Sequence, residues 1–225
     1  MTIVRADEEG LRLVGLALDA SIPIVVPLPT PLPYVVAGSD AAAINVAKGR
    51  PAEQATGVAV ADFTLVTPYV ELDEDTLAFV RWLSAHELLN LMLPVGEDGP
   101  AWMRPSTSKG WLGVMLGWLG QIRPLLDERG HLYITSANRT GAETAVTAAT
   151  ANTAFGDEFL VIDGDAARDQ SVASGSAAIV RLGPHRQLDV VRHGINDAGF
   201  ADTSQFVQEL TQRWETRDAD RDSLP

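Results

Sequence analysis

Two cations flank a glycine at Lys48-Gly49-Arg50, and Pro51 follows directly. Gly49 lets the backbone bend close while both side chains reach toward one anion, and phosphate is the natural guest for such a pair. The same four residues also suit a solvated basic helix C-terminus, where cations are favoured by the helix dipole. A second constellation, Thr135-Ser136-Ala137-Asn138-Arg139-Thr140-Gly141, supplies hydroxyls, a carboxamide and a glycine turn. That inventory can read the polar groups of a ligand at the C-terminal edge of a sheet, and it equally suits an Asx or ST turn that caps the next helix. Both readings stay open at each motif when it is taken alone.

The elements that must position these groups follow from periodicity and punctuation. Ile22 to Leu28 reads as a buried strand entering a proline-rich shaped loop, Pro27 to Pro33, whose alternating prolines enforce extended backbone. Asp40 to Ala47, led by capping Ser39 and Asp40, reads as a short helix that ends at the basic knuckle. Val58 to Val66 is strand-like, Asp73 to Leu83 is helical with acids at its start, and Leu88 to Val95 is a further apolar run, giving β, α, β. Leu112 to Leu126 repeats a helical period through Leu116, Leu119 and Ile122, and His131 to Thr135 is a strand that delivers Ser136-Ala137-Asn138 to a sheet edge. Glu143 to Ala154 is expected as a helix and Phe159 to Ile162 as a strand stopped by Asp163-Gly164. Ser176 to Leu182 and Gln187 to Arg192 form a hairpin pair around Gly183-Pro184. From Asp202 to Thr216 the stripe Phe206, Leu210 and Trp214 marks an amphipathic helix, and 217–225 reads as a polar, frayed tail.

Composition limits the classes of function. With 225 residues and 46% hydrophobic content the chain can bury one full core, so one domain is expected over 1–216. The absence of cysteine excludes disulfides and thiolate chemistry and fits a reducing compartment, with the cytoplasm as the expected location. Met1 to Arg12 carries no apolar run of signal or anchor type, and the prolines from Pro23 to Pro33 break the longest apolar stretch, so no membrane span is expected. A net charge of -13 disfavours stable nucleic-acid binding, which depends on neutralising phosphates, whereas a small phosphate ligand needs only a few convergent cations. Trp82, Trp102, Trp111, Trp118 and Trp214 are expected as core or interface anchors, His86, His131, His185 and His193 are too scattered for a zinc site, and Glu71, Asp73, Glu74 and Asp75 read as a solvated helix start.

Taken in order, the motifs resemble the YrdC-like family, the threonylcarbamoyl-adenylate synthases of transfer-RNA modification. The resemblance runs from Pro29-Thr30, through Lys48-Gly49-Arg50-Pro51, Thr135 to Gly141 and Val161-Ile162-Asp163-Gly164, to Ser174 to Val180 and Val191-Arg192-His193-Gly194. It implies an α/β fold, a twisted open mixed sheet with helices around a large concave ligand cavity. It places nucleotide contacts at Arg50, Ser136, Asn138 and Arg192, with Lys48 close by, Ser176 orienting ligand, and Thr30 and Tyr34 on the substrate side. The implied reaction joins an amino acid, bicarbonate and ATP, with magnesium on the phosphates: a carbamate attacks the α-phosphate and pyrophosphate leaves, Lys48, Arg50 and Arg192 spreading the charge.

Departures from the family pattern sit elsewhere. The family's Pro-Thr-(Asp/Glu)-Thr-Val-Tyr-Gly stands here as Pro29-Thr30-Pro31-Leu32-Pro33-Tyr34-Val35, so an acid and a threonine are lost. Gln54-Ala55-Thr56 and Ala59 replace an Asn-Pro-Leu and a later histidine, and His86 to Asn90 replaces a Pro-Gly-Pro-x-Thr segment. By the resemblance these losses fall on the amino-acid and bicarbonate side. Three functions are compatible: threonylcarbamoyl-adenylate synthesis, carbamoyl or acyl adenylation of another small molecule, and nucleotide or partner binding without turnover.

Overall fold

Alternating side chains organise the chain around one mixed sheet in a computed structural model that describes residues 3–116, 118–156, 158–169 and 171–217. The strands are β1 (Ile3–Arg5), β2 (Ile24–Pro27), β3 (Tyr34–Gly38), β4 (Gly57–Val60), β5 (Asn90–Pro94), β6 (Thr107–Ser108), β7 (Trp111–Leu116), β8 (His131–Ser136), β9 (Leu160–Asp163), β10 (Ile179–Leu182) and β11 (Leu188–Arg192). They line up as β1-β9-β2-β3-β8-β4-β7-β5-β10-β11, with β6 paired to β7. Parallel pairs (β1 with β9, β9 with β2, β4 with β7, β5 with β10) are interspersed with antiparallel ones. The helices are α1 (Glu8–Asp19), α2 (Ala41–Ala47), α3 (Glu74–His86), α4 (Arg123–Arg129), α5 (Ala148–Phe155) and α6 (Thr203–Thr216). None of the helices among the described residues is long and apolar enough to cross a membrane.

Each face of the sheet has its own core, because successive strand residues point to opposite sides. Val25, Tyr34, Val36, Val58, Tyr133 and Val161 pack with α2, α3, α5 and α6 on one face. Ile24, Val26, Val35, Ala37, Ala59 and Ile134 pack with α1 and α4 on the other. The α6 stripe is buried as expected, and Trp214 meets Phe79 of α3 at 5.3 Å between ring centroids. Helix starts are fixed by acids or hydroxyls that accept from orphan backbone N–H groups: Asp7 for α1, Asp40 for α2, Asp73 for α3, Asp202 for α6, and a reciprocal Thr147–Thr150 box for α5.

Several expected elements differ. The segment Leu112 to Leu126 is not one helix: β7 occupies its first part and α4 starts only at Arg123. Pro124 lacks the N–H that a helix interior requires and instead sits in the first turn of α4, while Leu112 and Val114 against Gly113 and Met115 obey the two-residue strand period. The helix expected from Glu143 starts at Ala148, where Thr147 caps it. Val58 to Val66 splits after Val60, since Asp62 caps a 3-10 turn at Phe63–Leu65. Strand β8 lies inside the sheet, between β3 and β4, and Ser136 to Asn138 leaves from its C-terminal end, as expected for a motif at the C-terminal edge of a sheet. The β10–β11 hairpin forms with Gly183 and Pro184 at its turn. The tail reading applies almost wholly to 218–225, outside the described residues.

Candidate functional site

One face of the sheet carries a cavity of about 360 Å³. Its floor comes from β3, β4, β7 and β8 through Val35, Gly57, Gly113, Met115 and Ile134. A Cβ added to Gly113 would meet nothing closer than 3.9 Å, so the missing side chain leaves open volume above the floor. Arg50, Thr135 and Ser136 form one wall, and Ser176, Ala177 and Arg192 another. Thr56, Ser106, Ser108 and Trp111 also line it, as do Asn90 and Met92. No carboxylate among the described residues does, so the donor set is guanidinium and hydroxyl, suited to an anion.

The two arginines arrive from distant parts of the chain. Helix α2 ends at Lys48, Gly49 takes the left-handed conformation at φ +71°, and the chain turns so that Arg50 can donate to Thr135 Oγ1 at 3.1 Å. Arg192 ends β11 opposite Ile179 and donates to Ala177 O at 2.9 Å, with burial lowering its pKa below the usual arginine value. Gly194 allows this close passage, because a Cβ there would lie 2.2 Å from Ala178 N. Asn196 and Asp197 then secure the turn: Asn196 Oδ1 accepts from Ala178 N at 2.9 Å, and Asp197 accepts from Gly194 N at 2.7 Å and pairs with His193.

Lys48 lies behind the wall. It is 1% exposed, and its ammonium donates to Ser136 O and to Asn138 Oδ1, the latter at 3.2 Å. Burial, then the charges of Arg50 and Arg139, lowers its pKa to about 7. Asn138 is likewise turned inward: Oδ1 also accepts from Ser136 Oγ at 2.6 Å, and Nδ2 donates to Ala142 O at 2.9 Å and Arg139 O at 3.0 Å. Thr140 Oγ1 closes the unit by donating to Lys48 O at 2.9 Å. Of the nucleotide-side residues expected from sequence, Arg50, Ser136, Ser176 and Arg192 therefore meet in the cavity, whereas Lys48 and Asn138 make the scaffold beneath Ser136.

Thr30 and Tyr34 are not among the lining residues. Tyr34 has the opposite strand parity from Val35 and is fully buried in the core of the other face. Its hydroxyl donates to Asp165 Oδ1 at 2.7 Å and accepts from Gly164 N at 3.2 Å, and burial raises its pKa. Asp165 in turn accepts from Ala148 N, tying the Asp163-Gly164 turn to the start of α5. Thr30 Oγ1 accepts from Asp169 N at 3.2 Å, Arg168 donates to Leu32 O at 2.6 Å, and Gly175 N donates to Pro31 O at 3.1 Å. The proline loop is thus strapped from outside, and Leu28 and Pro33 are what it shows to the cavity. Sequence reasoning missed Thr56, Ser106, Ser108 and Trp111. Placing Leu112 to Leu126 in a helix hid the strand alternation that puts Trp111, Gly113 and Met115 on one face.

Comparisons with known proteins agree with this architecture. Sua5 of P. abyssi complexed with L-threonine superposes with a TM-score of 0.65 at 18% identity, over 86% of this chain and 56% of that one. Full-length HypF in its phosphate- and nucleotide-bound form gives 0.63 at 16%, over 84% and 29%. E. coli YciO gives 0.61 at 14%, over 86% and 94%. The chain spans less than two thirds of the length of the Sua5 structures it matches. No curated protein matches it. The family model described as telomere recombination, covering Sua5, YciO and YrdC, matches residues 35–194, which include all of β3 but Tyr34, β4 to β11 and both arginines of the cavity, and the chain belongs to that family.

Proposed function

We propose that the protein binds a nucleoside triphosphate in the cavity and forms a carbamoyl adenylate from it, in the manner of a threonylcarbamoyl-adenylate synthase acting in transfer-RNA modification. The observation that carries this reading is the convergence of Arg50 and Arg192, from separate ends of the family match, on one cavity that also holds Ser136 and Ser176 and that no carboxylate among the described residues lines. Nucleotide-bound HypF and threonine-bound Sua5, both of the same fold, support it. We take 1–216 to act as one unit, in keeping with the single continuous sheet.

In this reading the amine of an amino acid bonds to the carbon of bicarbonate with loss of water, and a carboxylate oxygen of the resulting carbamate bonds to the α-phosphorus. The bond from that phosphorus to the β-bridging oxygen breaks, and pyrophosphate leaves with the electron pair. Arg50 and Arg192 spread the negative charge that develops, and the hydroxyls of Ser136 and Ser176 orient the reactants without forming a covalent bond. Magnesium would arrive on the phosphates and supply further charge neutralisation, since no carboxylate among the described residues lines the cavity to hold it. Lys48 acts through Ser136 and Asn138 and not by direct contact.

The acyl acceptor is less polar in its demands than threonine in the family. Leu28 and Pro33 are the part of the proline loop that reaches the cavity, Leu32 is fully buried, and Thr30 and Tyr34 are engaged elsewhere. A pocket that leaves the polar groups of a small substrate unpaired discriminates against it strongly. The test follows pyrophosphate release from purified protein with ATP, magnesium, bicarbonate and each amino acid in turn, beside a family member with the full polar motif. Release with a less polar amino acid well above that with threonine is expected. Rates with threonine equal to those of the reference enzyme would restore threonine as substrate, and ATP binding with no release from any amino acid would leave a binding domain without turnover.

A further inference from the structure

Trp111 lies on the cavity face of β7, with the same parity as Gly113 and Met115. The guanidinium of Arg181, on β10, covers its ring at 4.6 Å from the centroid. Arg181 does not line the cavity and Trp111 does, so the indole forms the partition between them. The contact holds Arg181 even though its Nε is buried without a partner among the described residues, and a carboxylate oxygen of the exposed Asp189 stands 3.7 Å from its NH1. An indole braced in this way is a rigid, electron-rich plate.

Beside it, Ser106 is 2% exposed, lines the cavity, and has an Oγ buried with no hydrogen-bond partner among the described residues. A buried hydroxyl without a partner is unfavourable unless a ligand supplies one. Ser108, opposite Trp111 in the β6–β7 pair, adds a second hydroxyl to the same wall. A flat π surface next to donor and acceptor hydroxyls fits a planar nitrogen heterocycle, whose face stacks and whose ring nitrogens or exocyclic groups hydrogen-bond.

We propose that Trp111, with Ser106 and Ser108, forms the subsite for the nucleobase of the bound nucleotide, Arg181 acting as a positioning residue behind the indole. This assignment rests on the reading of the cavity as a nucleotide site, and it is tested with three probes that separate the two ideas: ATP, adenosine and inorganic tripolyphosphate, each titrated calorimetrically into the intact chain. Trp111→Leu should lose about tenfold or more in affinity for ATP and adenosine, the scale of one base–aromatic stack, while tripolyphosphate binding stays unchanged. Trp111→Phe should retain affinity for ATP within about threefold, because it keeps a π face. Ser106→Ala should weaken adenosine and ATP but not tripolyphosphate. If adenosine binds in a Trp111-dependent way and tripolyphosphate does not bind at all, the subsite stands and the triphosphate reading falls. The proposal is overturned if Trp111→Leu keeps its ATP affinity within about threefold, if it loses tripolyphosphate equally, or if the wild-type chain binds neither adenosine nor ATP.

Discussion

Replacing Lys48 with methionine should change how stability depends on pH more than it changes stability at any one pH. The lysine is 1% exposed and its pKa is lowered from 10.5 to about 7, chiefly by burial. Below about pH 7 the folded and unfolded forms both carry the proton, and the cost of burying the charge is felt in full. Between 7 and 10.5 the unfolded lysine still holds a proton that the folded one has released, so stability rises with pH through that window and levels off above it. One such proton gives a slope approaching about 1.4 kcal/mol per pH unit, or about 2.5 kcal/mol between about pH 7.5 and 9.5. Ser136 O and Asn138 Oδ1 accept from the ammonium and favour the charged form, which brings the expected gain to about 1 to 2.5 kcal/mol. Lys48→Met removes the charge with little change in volume and should lack this gain, although it leaves both acceptors without their donor. Urea unfolding of both proteins over this pH range, with the wild-type curve referred to that of the variant so that other titrating groups cancel, measures it. Parallel curves, within about 0.5 kcal/mol, would refute the burial argument.

Arg50→Ala and Arg192→Ala should each weaken ATP binding by about 1.5 to 3 kcal/mol, the usual size for a hydrogen bond to a charged group, and unchanged calorimetric affinity in both would remove the phosphate assignment. Gly194→Ala should destabilise the fold by about 1 to 3 kcal/mol or more, because the new Cβ would lie 2.2 Å from Ala178 N and 2.4 Å from Ser176 O. Both contacts are backbone and cannot swing aside, so a thermal midpoint equal to wild type would contradict the close approach.

Residue chemistry and local punctuation carried much of this protein in its sequence. Asp40, Asp73 and Asp202 name their helix starts because a short acidic side chain satisfies backbone N–H groups wherever a helix begins. The α6 stripe and the β10–β11 hairpin were legible for the same reason, as each depends on neighbours close in the chain. The motif order from Lys48 to Gly194 carried the family. Strand β7 was not legible, since Leu112, Leu116 and Leu119 fit a helical spacing and only β4 on one side and β5 on the other make the segment extended. Nor could spacing tell which cations line the cavity. Lys48 and Arg50 are two residues apart, yet the αR turn at Lys48 and the left-handed turn at Gly49 bury the first beneath Ser136 and send the second to the cavity wall. Tyr34 and Val35 are separated in the same way by strand parity, one into each face of the sheet. Sequence determined which cationic and hydroxyl groups the protein carries, while the pairing of distant strands decided which of them share one space.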